Sequence, residues 1–328
     1  MFLPGVTLEK ARVVLQMVYG AVAAPDVLGS VEVPPEVHAG AGFDPAPSAP
    51  GTLLTTADLA LRTAQSTSTG GTHLLTADGD TPLTEWIATA RQWRERLETT
   101  LATRSITLFH QPIRALDDGA LLAHETLARI RDGDSFLTAG AFFPFAERFD
   151  LAGELDILIA SALLADLPED VPAFLNLSSR SIVDPAFGVW LTDALQASSI
   201  PRDRLIIEFP ELALQVDRDR TADLMRMAVA AGYRISIDHV GTSSTTFEYL
   251  GQLPLSFAKV DRKYVHGLTD SAENRLLLTT LVQLARTRNI VLIAEGVETR
   301  QERAGLLDAG VHFGLGFLLG EPGSDRMS

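Results

Sequence analysis

From Thr107 onward the chain repeats one unit: a short, nearly continuous apolar run followed by a stretch of helical periodicity. The runs cover residues 107–115, 121–130, 173–177, 204–209, 234–240, 256–260, 291–297 and 311–317. Between several of them apolar residues recur at helical spacing. Leu224, Met227, Ala228 and Ala231 share one face that stops at Gly232, and Leu277, Leu281 and Leu284 share another. Strands that read as unbroken apolar runs are buried on both faces, so this order predicts a sheet covered by helices. About eight such runs in roughly 220 residues suit a (β/α)8 barrel. An open doubly wound sheet is the competing architecture, and no glycine-rich phosphate loop follows the first run to support it.

Chemistry enters at the ends of the runs. Glu125 lies in Ala123-His124-Glu125-Thr126-Leu127. Asn176 ends one run, Glu208 another, and Asp238-His239 a third. Lys259 and Asp261 sit in Ala258-Lys259-Val260-Asp261, and Glu295 follows Val291-Leu292-Ile293-Ala294. In a barrel the C-terminal strand ends converge on one mouth, where active sites lie. A carboxylate among apolar neighbours is costly unless it meets a cation or a donor. Five carboxylates, an amide and a lysine at one strand end therefore suggest a hard-cation site with oxygen ligands. Alternation along a strand turns His124 away from Glu125, so His124, like His110 and His312, reads as structural.

Charge limits the partners. Lys+Arg 27 against Asp+Glu 42 gives a net charge of −15, which disfavours DNA, RNA and anionic membranes. An anionic ligand then needs a local cation or a bound metal. With no cysteine, thiolate metal sites and disulfides are excluded. No apolar run is long enough to cross a membrane. Met1-Phe2-Leu3-Pro4-Gly5 lacks the plan of a secretory leader, so a cytoplasmic protein is expected.

The front of the chain reads differently. A helix is expected over 8–24, loop over 34–51 where prolines and glycines cluster, a short helix over 56–65, and a breaker over 66–71. Thr81 and Pro82 mark the start of a longer helix, with Trp86, Ala90, Trp93 and Leu97 on one stripe. The expected division is residues 1–80 as a small N-terminal α/β fragment, 81–103 as a connecting helix, and 104–323 as the barrel.

The motifs taken in order carry a resemblance. Phe109-His110-Gln111-Pro112-Ile113 with Glu125-Thr126-Leu127-Ala128-Arg129 resembles the opening of EAL domains, the cyclic di-GMP phosphodiesterase family named for Glu-Ala-Leu. Asn176-Leu177-Ser178, Glu208-Phe209-Pro210-Glu211, Ile237-Asp238-His239-Val240-Gly241-Thr242, Lys259-Val260-Asp261-Arg262 and Ala294-Glu295-Gly296-Val297-Glu298-Thr299 resemble later family motifs. The resemblance runs from about residue 105 to 322. Leu3-Pro4-Gly5-Val6-Thr7-Leu8-Glu9 and Ala57-Asp58-Leu59-Ala60-Leu61 are similar to the back half of a GGDEF domain; its signature turn is not in this sequence, and cyclase activity is not expected.

The resemblance implies hydrolysis of one phosphodiester of cyclic di-GMP to pGpG with Mg²⁺ or Mn²⁺. It implies Glu125, Asn176, Glu208 and Asp238 as ligands of the first metal. Glu295 becomes general base or second-metal ligand. Lys259 holds the water or phosphate, with Asp261 near it, and Gln111 and Arg129 contact the nucleotide. Glu211 braces the loop after Asp238, and Glu298 supports the site from behind. Three departures stand out. His239 replaces the second Asp of an Asp-Asp pair and is either a packed ring or a metal ligand. Gly241-Thr242-Ser243-Ser244 lacks a second glycine, and Leu315 replaces a polar residue. Three functions follow: a degenerate domain that binds cyclic di-GMP and signals, a working phosphodiesterase, or a protein-interaction module. A homodimer is expected, with a possible signalling protein partner.

Overall fold

A computed structural model describes residues 6–22, 38–43, 57, 60–61, 71–76, 82–167, 171–241, 246–268 and 271–324. The chain divides into two compact units, Met1–Gln92 and Trp93–Ser328. In the first, helix α1 (Leu8–Val22) accompanies strands β1 (His38–Phe43) and β2 (Gly71–Thr76), which pair in parallel from His38↔Gly71 to Phe43↔Thr76. Clustered prolines and glycines predict loop over 34–51 and a breaker over 66–71. His-Ala-Gly-Ala-Gly-Phe carries too little apolar signal to stand out as a strand, and its partner supplies the ladder. Helix α2 runs Pro82–Thr103, with Leu97 fully buried. Thr81 and the side chains of Trp86 and Ala90 lie outside the described residues.

The second unit is a closed eight-stranded barrel. Its strands are β3 (Thr107–Ala115), β4 (Leu121–Asp132), β6 (Ala173–Asn176), β7 (Leu205–Pro210), β8 (Arg234–Val240), β9 (Phe257–Val260), β10 (Val291–Ala294) and β11 (Phe313–Gly314). β5 (Ser135–Thr138) extends β4 outside the ring. Pairing is parallel from β4 through β6, β7, β8, β9 and β10 to β11. β3 closes the ring antiparallel to both β4 and β11. The expected (β/α)8 barrel is present, and the alternating runs leave strand direction open. A doubly buried strand reads the same in either direction, so its apolar pattern carries no orientation. Asp117-Asp118-Gly119 is the local signal for the reversal: Gly119 has φ +76, and Ala115 N–H donates to Ala120 O at 2.8 Å.

Period-two alternation divides each strand between two cores. One residue points out, as Leu175, Ile207, Ala258 and Leu292 do, to pack under helices that include α4 (Ala152–Ala165), α8 (Arg218–Ala230) and α11 (Ala272–Thr287). Its neighbour points in. Ile113, Ala123, Phe174, Ile206, Phe257, Ile293 and Leu315 form a separate apolar plug inside the ring. Two residues further along, the same inward face carries Gln111, Glu125, Asn176, Glu208, Lys259 and Glu295. The plug is thus the floor of the polar layer. The remaining helices named below are α3 (Ala139–Arg148), α5 (Ser179–Ile182), α6 (Pro185–Ala197), α7 (Glu211–Val216), α9 (Thr246–Leu250), α10 (Arg262–Val265) and α12 (Arg300–Ala309).

Candidate active site at the barrel mouth

Two clusters occupy the polar layer. The first is organised by Lys259, which has no solvent exposure. Its ammonium bonds Glu125, reaches Glu208 Oε2 at 2.5 Å, and lies 4.8 Å from the Phe174 ring centroid in the plug. Burial opposes charging this lysine, but Glu125 and Glu208 overcome it and hold the group above the ordinary lysine range. Burial also pushes Glu208 well above the usual carboxylate range, with Lys259 pulling against it. Asn176 Nδ2 donates to Glu125 Oε1 at 2.6 Å and to Thr126 O at 3.2 Å, so Oδ1 is the atom that could hold a cation. Ser236 Oγ donates to Glu208 Oε1 at 3.0 Å. Glu125, Asn176, Glu208 and Lys259 therefore form one bonded group drawn from β4, β6, β7 and β9.

The second cluster is organised by His239. It lies one residue before the end of β8, within the break in the β8–β9 register between Ile237 and Val240, with φ +58, a left-handed conformation uncommon outside glycine, Asn, Asp and His. The turn swings the imidazole over the acids. Nδ1 lies 3.2 Å from Asp261 Oδ2 and 3.3 Å from Glu295 Oε2, and Nε2 lies 3.4 Å from Asp238 Oδ2. Hydrogen bonds to Asp261 and Glu295 push His239 up to about 11. The His239 hydrogen bond holds Asp261 below the usual carboxylate range. Burial, then the Asp238 charge, raises Glu295 to about 7, against the pull of His239 and Lys259. A carboxyl group near 7 accepts a proton readily at neutral pH.

The nucleotide-contact candidates flank these clusters. Gln111 pairs with Glu125 across β3 and β4 and donates from Nε2 to Gly320 O at 3.1 Å. Arg129 lies two inward positions beyond Glu125. It sits 5.4 Å from the Phe109 ring centroid, and Phe109 packs edge-on against Phe136 at 5.0 Å. Burial lowers the Arg129 value from that of a free guanidinium. Glu211, buried at the start of α7, accepts a hydrogen bond from Tyr249 on α9. It thus touches the element that follows residues 242–245; the Thr242-Ser243-Ser244 loop itself lies outside the described residues. Glu298 is exposed and its side chain is not part of either cluster. Its backbone N–H donates to Glu302, which also closes the capping box of α12 with Thr299. Leu315 is buried in the plug, below the acids.

Sequence reasoning missed the support behind Asn176. Asp156, buried on α4, accepts the Ser178 N–H at 2.9 Å. Ser178 in turn caps α5 through Ser181 N. Burial raises Asp156 to about 6 in spite of the serine hydrogen bonds. A lone Asp in the apolar helix Leu155-Asp156-Ile157-Leu158-Ile159 was the available signal.

A family model for the EAL domain matches residues 94–322. The chain belongs to the EAL domain family. Among curated relatives, it is 28% identical over 234 residues to the bifunctional diguanylate cyclase/cyclic di-GMP phosphodiesterase MucR of Pseudomonas aeruginosa, covering 69% of this chain and 34% of that protein. It is 28% identical over 229 residues to the RNase E specificity factor CsrD of Escherichia coli, covering 69% and 35%. The chain thus spans about a third of the length of these relatives. The solved PaMucR phosphodiesterase in complex with c-di-GMP is 28% identical, with a TM-score of 0.64 over 70% of this chain and 97% of that one. The EAL barrel is therefore shared with a protein solved with c-di-GMP bound. Among the described residues no helix is long and apolar enough to cross a membrane.

Proposed function

We propose that this EAL domain binds cyclic di-GMP at the barrel mouth and signals through it, with hydrolysis to pGpG slowed by His239. The observation that carries the reading is the gathering of acidic strand tips, Glu125 and Glu208 around Lys259 and Asp238, Asp261 and Glu295 around His239. The oxygen donors of Glu125, Asn176, Glu208 and Asp238 fit a divalent cation. Such a cation neutralises a phosphodiester and makes water a better nucleophile.

Around it each side chain has a task. Arg129 gives an anionic ligand local positive charge against the chain's net charge of −15. Lys259 holds Glu125 and Glu208 in place and keeps their negative charge from accumulating. Glu295 accepts the proton from the attacking water as one P–O bond of the ring breaks. His239 stands where a further carboxylate would otherwise strengthen a second cation position, and this is why hydrolysis with Mg²⁺ is slow.

Calorimetry with cyclic di-GMP, with and without a divalent cation, tests the binding. Binding below ~100 µM, about 5–6 kcal/mol, supports it, and its absence in both conditions overturns it. The second reading, a fully working phosphodiesterase, is favoured by Glu295 standing near 7 beside the complete first cluster. Rapid pGpG formation in Mg²⁺ decides for that reading.

A further inference from the structure

The inference rests on the cyclic di-GMP reading of the mouth and concerns which cation the mouth accepts. The His239 cluster mixes an imidazole with carboxylates. One possible donor atom from each of Asp238, His239 and Glu295 lies within 4.8 Å of the others, and Asp261 stands beside them. His239 Nδ1 stands 3.2 Å from Asp261 Oδ2 and 3.3 Å from Glu295 Oε2, while Asp238 faces the other ring nitrogen, Nε2, at 3.4 Å. The two Nδ1 separations match the spacing of atoms that share one ion. Two ligands at ~2.1 Å from a cation stand about 3.0 Å apart at an octahedral angle and about 3.4 Å apart at a tetrahedral one.

The chemistry of the donors then discriminates among ions. Mg²⁺ demands near-ideal octahedral oxygen ligation and sheds its waters reluctantly. An imidazole nitrogen with two or three carboxylates suits Zn²⁺ well and Mn²⁺ after it. The left-handed turn at His239 delivers the ring to this spot from near the end of β8, and the side chain stays 55% exposed, so an ion reaches it without opening the barrel. We propose that His239 is a ligand of the second cation position and makes that position selective for Zn²⁺ or Mn²⁺ over Mg²⁺.

The test uses the metal alone, without nucleotide. ZnCl₂, MnCl₂ and MgCl₂ are titrated calorimetrically into the full chain, into His239→Asp and into His239→Ala, with the ring ¹⁵N signals of the histidines followed by NMR. The exposed ring lets both variants fold, and circular dichroism checks this. The expected result is one Zn²⁺ more in the wild type than in His239→Ala, with the His239 ring signals shifted at saturation. His239→Asp should lose at least tenfold in Zn²⁺ affinity relative to Mg²⁺. Unmoved His239 signals at saturating Zn²⁺, or equal stoichiometry and affinity in His239→Ala, overturn the proposal, and Zn²⁺ seated elsewhere on the surface falls under that outcome. Failure of the functional reading looks different: Zn²⁺ shifts His239, yet cyclic di-GMP does not bind.

Discussion

A lysine without solvent exposure, set between two buried carboxylates, makes the first cluster sensitive to any loss of charge balance. Removing one member of a buried ionic group leaves the others unpaired and costs about 3–5 kcal/mol. Lys259→Met should therefore lower the unfolding free energy by about that much, read from urea denaturation, even though its volume is similar. Added divalent cation should recover part of the loss, since it replaces the missing charge between Glu125 and Glu208. A loss under about 1 kcal/mol would show that the cluster is not mutually dependent. Glu295 is predicted to behave otherwise. Glu295→Gln keeps the shape but removes the proton acceptor, so pGpG formation should fall by about 10²–10⁴-fold. Cyclic di-GMP affinity measured by calorimetry should change little. An unchanged rate would remove Glu295 from the chemistry.

Among the elements, α4 and β6 depend on each other through Asp156. Its ordinary value is 3.8 and the native one is about 6, so between these pH values the folded state holds more protons than the unfolded one. Stability from this group is present below about pH 4 and is lost as pH rises through about 6, a total of about 3 kcal/mol. Asp156→Asn removes the titration. The stability of the variant relative to wild type should then rise by up to about 3 kcal/mol between pH 4 and pH 7, measured by denaturant unfolding at each pH. A difference that does not vary with pH would mean that Asp156 does not titrate in this window. The same carboxylate fixes Ser178, two residues beyond Asn176, so the variant reports on how far a helix behind the barrel sets a strand tip at its mouth.

At the scale of the whole molecule, a net charge of −15 and five carboxylates in one mouth work against the folded state by mutual repulsion. A divalent cation that binds only the folded chain should offset this. At a hundredfold excess over its dissociation constant it contributes about 2.7 kcal/mol, or roughly 5–10 °C in melting temperature for a domain of this size. Scanning calorimetry with EDTA and then with MnCl₂ measures the shift. Glu125→Gln should reduce it. A cation-independent melt in the wild type would count against a cation site of any kind.

Sequence alone was enough for the barrel and for most of the mouth, because both are written in short-range patterns. Buried strands read as apolar runs, and a polar residue within or at the end of a run is visible without coordinates: Glu125 stands inside one, and Asn176, Glu208, Asp238, Lys259 and Glu295 lie at or near the ends of others. Direction, pairing and side-chain aim do not appear in such patterns. The pairing of β3 with β11, the parallel pair β1–β2, the bond from Asp156 to Ser178, and the placing of the His239 ring among Asp238, Asp261 and Glu295 each join residues that are distant in the chain or turned by one dihedral angle. Tertiary structure decided these, since a hydrogen-bond partner or a neighbouring charge is a property of the closed ring and not of the residue that meets it.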